Sequence, residues 1–233
     1  MDCPASPLYS LVDMIAETPA TLTTADGVAL QARVGAPSTP EGGAVICHPH
    51  PLYGGDMDNP VVIRLAEVFG DLGLATLRFN FRGVGQSAGA HGHGVDEKRD
   101  VEAAHARIAG LAGAGRPLVL AGYSFGAAVV AEVAARRPEL SGVVLVAPPL
   151  ARVDPKRFVG LAPFGERLLV VAGSADEICP ADALARLREA TPGATVEVIE
   201  AANHFFFGKL YPLGQAASAW IQHVLRRRAG GND

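Results

Sequence analysis

Short, nearly continuous apolar runs recur along the chain, and amphipathic stretches separate them. The runs are GAVICH (43–48), LATLRF (74–79), PLVLAGY (117–123), GVVLVA (142–147), RLLVVAG (167–173) and TVEVIE (195–200). Runs of this length, rich in Val, Ile and Leu, predict central strands covered on both faces. VALQARV (28–34) instead alternates, as a half-exposed strand does. Helices are expected between them, over 58–73, 95–111, 124–138, 180–192 and 210–228. The first has Asp58 or Asn59 as N-cap, Pro60 in its first turn and Gly73 as its stop. Strand alternating with helix predicts an α/β fold with a mainly parallel sheet of about seven to eight strands. The glycine-rich stretch SAGAHGHG (87–94) reads as a loop, and residues 148–166 leave room only for a minimal cap. A single domain over 1–233 is expected, with its core at about 25–228.

Composition narrows the picture slightly. The chain has 233 residues, 49% hydrophobic and 19% charged, with net charge −4. That is a globular balance with no basic block, so no nucleic-acid partner is expected. Arg226, Arg227 and Arg228 read as a solvated helix end. The start shows no basic segment followed by an apolar one, and no run reaches membrane length. Cys3, Cys47 and Cys179 are scattered and odd in number, which fits a reducing, cytoplasmic setting. Oligomeric state is not indicated.

The chemistry starts at Gly122-Tyr123-Ser124-Phe125-Gly126, between an expected strand and an expected helix. A serine there sits on a turn so tight that its flanking positions must be small. Its side chain stands at a helix N-terminus, where the Phe125 N–H faces a developing anion. A serine needs a base oriented by an acid, and in this architecture the order is Ser, acid, His. Two histidines follow Ser124. His223 falls inside the last helix, whereas His204 falls just past a strand, so His204 is the expected base. Asp176, three residues past Gly173, is the expected acid, with Glu177 as the neighbouring alternative. Asp154 comes before that strand and Asp182 reads as a first-turn helix acid.

With these residues in place the sequence resembles the α/β-hydrolase superfamily. More narrowly it is similar to small, nearly capless members related to dienelactone hydrolase and to predicted intracellular hydrolases. HPHPLYGGDMDN, RFNFRGVGQS, GYSFG, GSADEICP and NHFFFG carry the resemblance. It implies an α/β-hydrolase fold, a Ser124–Asp176–His204 triad, and an oxyanion hole built from the loop after the third strand. Dienelactone hydrolase differs in having Cys at the elbow and an acid where Pro51 stands. The loop ICHPHPLYGG (46–55) would then work through its backbone, stiffened by Pro49 and Pro51, which have no N–H. Leu52 is the expected donor beside Phe125, with His50 as the alternative. Tyr53, Tyr123, His50 and Phe205 are the expected substrate-binding residues.

The expected activity is hydrolysis of small or medium carboxylic esters through an acyl-enzyme, without metal or cofactor. Thioesterase or peptidase action is the alternative on the same triad. Three rivals of other classes stand beside it. A metal hydrolase could use His48 and His50, His91 and His93, with Asp56 and Asp58. Against it, the second pair sits in a glycine-rich loop. A dinucleotide site could use Gly83-x-Gly85-x-x-Ala88, but HGHG follows where a helix is required. A non-catalytic binding module would leave three chemically matched residues unused.

Overall fold

The computed structural model describes residues 16–229, and side chains as far as residue 226. Cys3 and the amino-terminal stretch lie outside the described residues, as do the side chains of Arg227 and Arg228. The strands are β1 (Thr18–Thr23), β2 (Ala29–Gly35), β3 (Gly42–Cys47), β4 (Leu74–Phe79), β5 (Leu118–Tyr123), β6 (Gly142–Val146), β7 (Leu168–Gly173) and β8 (Thr195–Ile199). They form one sheet in the order β1-β2-β4-β3-β5-β6-β7-β8. β2 pairs antiparallel with β1 and with β4, and every other pairing is parallel. β3 to β7 are buried along their length, apart from the partly exposed Leu118, because helices cover both faces.

The helices are α1 (Pro60–Asp71), α2 (Glu97–Ala112), α3 (Phe125–Ala134), α4 (Ala181–Ala190) and α5 (Leu210–Ala229). α1 starts where Asn59 accepts the Val61 N–H at 2.9 Å, with Pro60 following as the first helical residue. It buries Val61, Val62, Leu65, Val68 and Phe69, one helical stripe, against the sheet and α5. Phe69→Ala would leave a cavity worth about 3–5 kcal/mol there. α2 and α3 cover the opposite face, together with a 3-10 segment at Pro155–Arg167.

Two stretches differ from the hydropathy reading. β1 is not announced by it: of TPATLT only Leu22 is buried, and Pro19 is tolerated because the strand is an edge. Residues 148–166 form no cap. The 3-10 segment buries Phe158, Leu161 and Phe164 against the core, so it lies along the body. No described helix is long and apolar enough to cross a membrane.

Register decides where the chemistry can sit. Cys47 lies opposite both Phe79 and Gly122, Tyr123 opposite Val146, and Gly173 opposite Ile199. The parallel strands therefore end together, and the loops leaving them converge on one edge of the sheet.

Candidate active site

Ser124 joins β5 to α3 with φ 53° and ψ −114°, a backbone state rarely adopted by a residue with a side chain. The turn closes tightly enough that a Cβ on Gly122 would lie 2.4 Å from the Gly126 carbonyl oxygen. One on Gly126 would lie 2.5 Å from that of Cys47. Both positions therefore require glycine, and the strain presents the Ser124 side chain at the start of α3.

His204 follows β8, and its Nε2 lies 2.9 Å from Ser124 Oγ. Its Nδ1 lies 2.9 Å from Asp176 Oδ2 and 3.0 Å from Oδ1. Asp176 Oδ1 also accepts the N–H groups of Ile178 and Cys179 at 2.8 and 3.0 Å. Burial alone pushes the Asp176 carboxyl up. The hydrogen bond and charge of His204 and those two N–H groups outweigh it, so the carboxyl lies below its ordinary value. All three side chains are buried. Serine, imidazole and carboxylate are thus joined in one chain, with the carboxylate fixing which ring nitrogen faces the serine.

The loop after β3 is built differently. His48 is fully buried and its ring is used on both sides. Nδ1 donates to the Pro49 carbonyl at 2.6 Å, and Nε2 accepts the Phe81 N–H at 3.0 Å. Burial is the main force that lowers its pKa to about 4, so this ring is neutral. His50 caps a single 3-10 turn, Pro51–Tyr53, with Nδ1 accepting the Leu52 N–H at 3.2 Å. Burial and the neighbouring His91 lower its pKa as well. Both nitrogens of His48 and one of His50 are therefore committed to backbone groups. Among the described residues no three His, Cys, Asp or Glu side chains are arranged to hold a metal ion.

A cavity of about 1020 Å³ opens over Ser124 and His204. A second concavity, about 810 Å³, lies between β8 and α5 and holds none of these residues. The chain matches the family model described as serine aminopeptidase, S33, over residues 59–164. It is 33% identical to an α/β serine hydrolase without a lid from Xanthomonas campestris, across 95% of this chain and 97% of that one, with a TM-score of 0.79. It belongs to the α/β-hydrolase superfamily. It is also 32% identical to an α/β serine hydrolase homologue from Coxiella burnetii, covering 87% of this chain and 96% of that one, at a TM-score of 0.76. An uncharacterized protein of Rickettsia prowazekii is 32% identical over 184 residues, 76% of this chain and 77% of that one.

In this α/β hydrolase the expected binding residues divide. His50, Tyr53 and Phe205 line the cavity, with Tyr53 and Phe205 largely exposed at its mouth. Tyr123 touches the cavity but is 2% exposed, and its hydroxyl donates to the His204 carbonyl at 2.8 Å. Its place is behind the imidazole, holding it. Leu52 is a correction: it does not line the cavity, and the His50 ring already takes its N–H. The N–H groups of His50 and Phe125 have no acceptor among the described residues, and both residues border the cavity. Sequence reasoning missed Arg152, Val153, Asp154 and Arg157, which also line it. The charged residues crowded into 152–157 are the available signal, but in sequence the stretch reads as a minimal cap and Asp154 is weighed only as the acid.

Proposed function

We propose that this chain hydrolyses small or medium carboxylic esters through an acyl-enzyme on Ser124. The observation that carries the reading is the His204 ring, hydrogen-bonded to Ser124 on one side and Asp176 on the other. In the first half-reaction Ser124 Oγ bonds to the ester carbonyl carbon as its proton passes to His204 Nε2. Asp176 stabilises the imidazolium so formed. The negative charge gathers on the carbonyl oxygen, and the N–H groups of His50 and Phe125 are the donors that would receive it. Collapse breaks the bond to the alcohol, which leaves with the proton from His204. A water then attacks the acyl-enzyme, giving its proton to His204, and Ser124 leaves with that proton as the carboxylic acid departs.

The rival metal reading is weakened, since both ring nitrogens of His48 and one of His50 serve backbone groups, and the described residues hold no cluster of three ligands. A second reading, cleavage of amide or peptide bonds by the same groups, is favoured by the description of the matching family model. A fluorophosphonate probe tests the reading: it should label wild-type protein at Ser124 and leave Ser124→Ala unlabelled. p-Nitrophenyl esters of graded acyl length, run beside thioesters and aminoacyl amides, decide the bond. Faster turnover of the amides would replace the ester reading with the peptidase one.

A further inference from the structure

The cavity wall carries an uneven set of charges. Two guanidinium groups, Arg152 and Arg157, line it against one carboxylate, Asp154. Asp176 is behind His204 and outside the lining. Arg157 is already matched, because its Nε is hydrogen-bonded to Glu132. Asp154 Oδ1 is occupied by the Lys156 N–H at 2.9 Å, capping the 3-10 segment. Arg152 differs: among the described residues its side chain has no hydrogen bond or ion pair.

Its backbone, by contrast, is fixed. The Arg152 N–H donates to the Pro149 carbonyl at 2.9 Å, and the preceding Ala151 N–H donates to the Ile178 carbonyl at 3.0 Å. Ile178 in turn donates its own N–H to Asp176. The residue before Arg152 is thus tied by one hydrogen bond to the loop that carries the acid. Arg152 is itself exposed, on a cavity wall that also includes Pro149, Val153 and Ile178. A guanidinium without a partner at the wall of a cavity can take a planar anion that accepts two of its N–H bonds.

We propose that the cavity selects esters whose acyl part ends in a carboxylate, and that Arg152 is the residue that recognises it. The apolar lining takes the methylene link between the two carbonyl carbons. This inference rests on the ester-hydrolase reading above.

The test compares mono(p-nitrophenyl) glutarate with p-nitrophenyl pentanoate, which have acyl chains of equal length and differ in the terminal carboxylate. A charge-assisted hydrogen bond is worth enough to give wild type about a tenfold higher kcat/KM for the glutarate. In Arg152→Gln that ratio should fall about tenfold by the same estimate, with Arg152→Lys between. Asp154→Asn should raise it, since the wall loses its one carboxylate. In about 1 M salt, where charges are screened beyond about 3 Å, the wild-type ratio should shrink. A wild type that prefers the pentanoate, or a preference that survives in Arg152→Gln, overturns the assignment while leaving ester hydrolysis intact. If neither ester is turned over and the fluorophosphonate does not label Ser124, both readings fall together.

Discussion

The loops that follow β3 and β8 are made of similar residues put to opposite use. Both leave the same edge of the sheet, and both set a histidine beside aromatics. In the first, both ring nitrogens of His48 and one of His50 are spent on backbone groups, and the His50 N–H has no acceptor among the described residues. In the second, the backbone is the part tied down: Tyr123 holds the His204 carbonyl, and the ring is left to bridge Ser124 and Asp176. Burial does not tell these histidines apart, since His48 and His204 are both buried. The partner of each ring nitrogen does. A ring whose nitrogens end on backbone groups is scaffolding, whereas one whose nitrogens end on a hydroxyl and a carboxylate can move a proton.

The largest test of this contrast is at the second loop's target. Ser124→Ala should lower kcat by a factor on the order of 10⁴ to 10⁶, as loss of the nucleophile does in other triads. Steady-state turnover of a p-nitrophenyl ester reads it, and a variant retaining a tenth of the activity would sink the reading. Asp176→Asn follows, at roughly 10⁴ in kcat with the fold preserved, because the amide cannot hold the ring in the required tautomer. Glu177→Gln is the comparison. Its side chain takes no part in the network, so a larger loss there would move the acid by one residue.

His48 gives the next largest effect, in stability. Its pKa is held near 4 in the folded chain against about 6.5 when exposed. Above the unfolded value both states are neutral and the contribution is complete. As pH falls from there the unfolded chain takes up a proton that the folded one refuses, so stability falls until the folded group titrates near 4. The difference is worth about 3 kcal/mol across that window. Urea unfolding at pH 7 and pH 4.5 measures it. His48→Gln should be less stable at pH 7 yet lose less on acidification. An equal loss in both proteins would show that the ring is not held neutral.

The centre of the sheet was legible because β3 to β7 are covered on both faces, and burial writes itself as continuous Val, Ile and Leu. β1 was not, because an edge strand buries one side chain here, Leu22, and leaves no pattern to read. The serine, acid and histidine could be picked out because each falls just past a strand end, and the structure brings those three side chains within hydrogen-bond distance. The loop after β3 resisted. Which N–H is left without an acceptor depends on a single 3-10 turn and on the His50 ring folding back to cap it, and no spacing in HPHPLYGG encodes that choice. Arg152 resisted for a related reason. Its importance lies in what is missing around it, and a missing partner has no signature in sequence.

His50 sharpens the comparison most finely, because it combines two roles in one residue: its N–H has no acceptor among the described residues, and its ring caps the turn that follows it. Replacing it with Ala keeps the N–H and removes the acceptor for Leu52. Losing an oxyanion donor outright costs about 10² to 10³ in rate, so loosening one should cost less, about 10- to 100-fold in kcat. KM should change little, since the loss falls on the charge that develops during reaction. Asn at the same position places a side-chain oxygen where it can accept the N–H two residues on, the geometry of an Asx turn. It should therefore recover most of the lost kcat. Gln, longer by a methylene, should not. Ring packing against Tyr53, Phe125 and His91 is lost in all three variants. If Ala, Asn and Gln fall alike, the ring matters for its packing and the cap does not. If Asn alone recovers, the imidazole in this loop serves as an acceptor for its own backbone, and the proton chemistry belongs to His204.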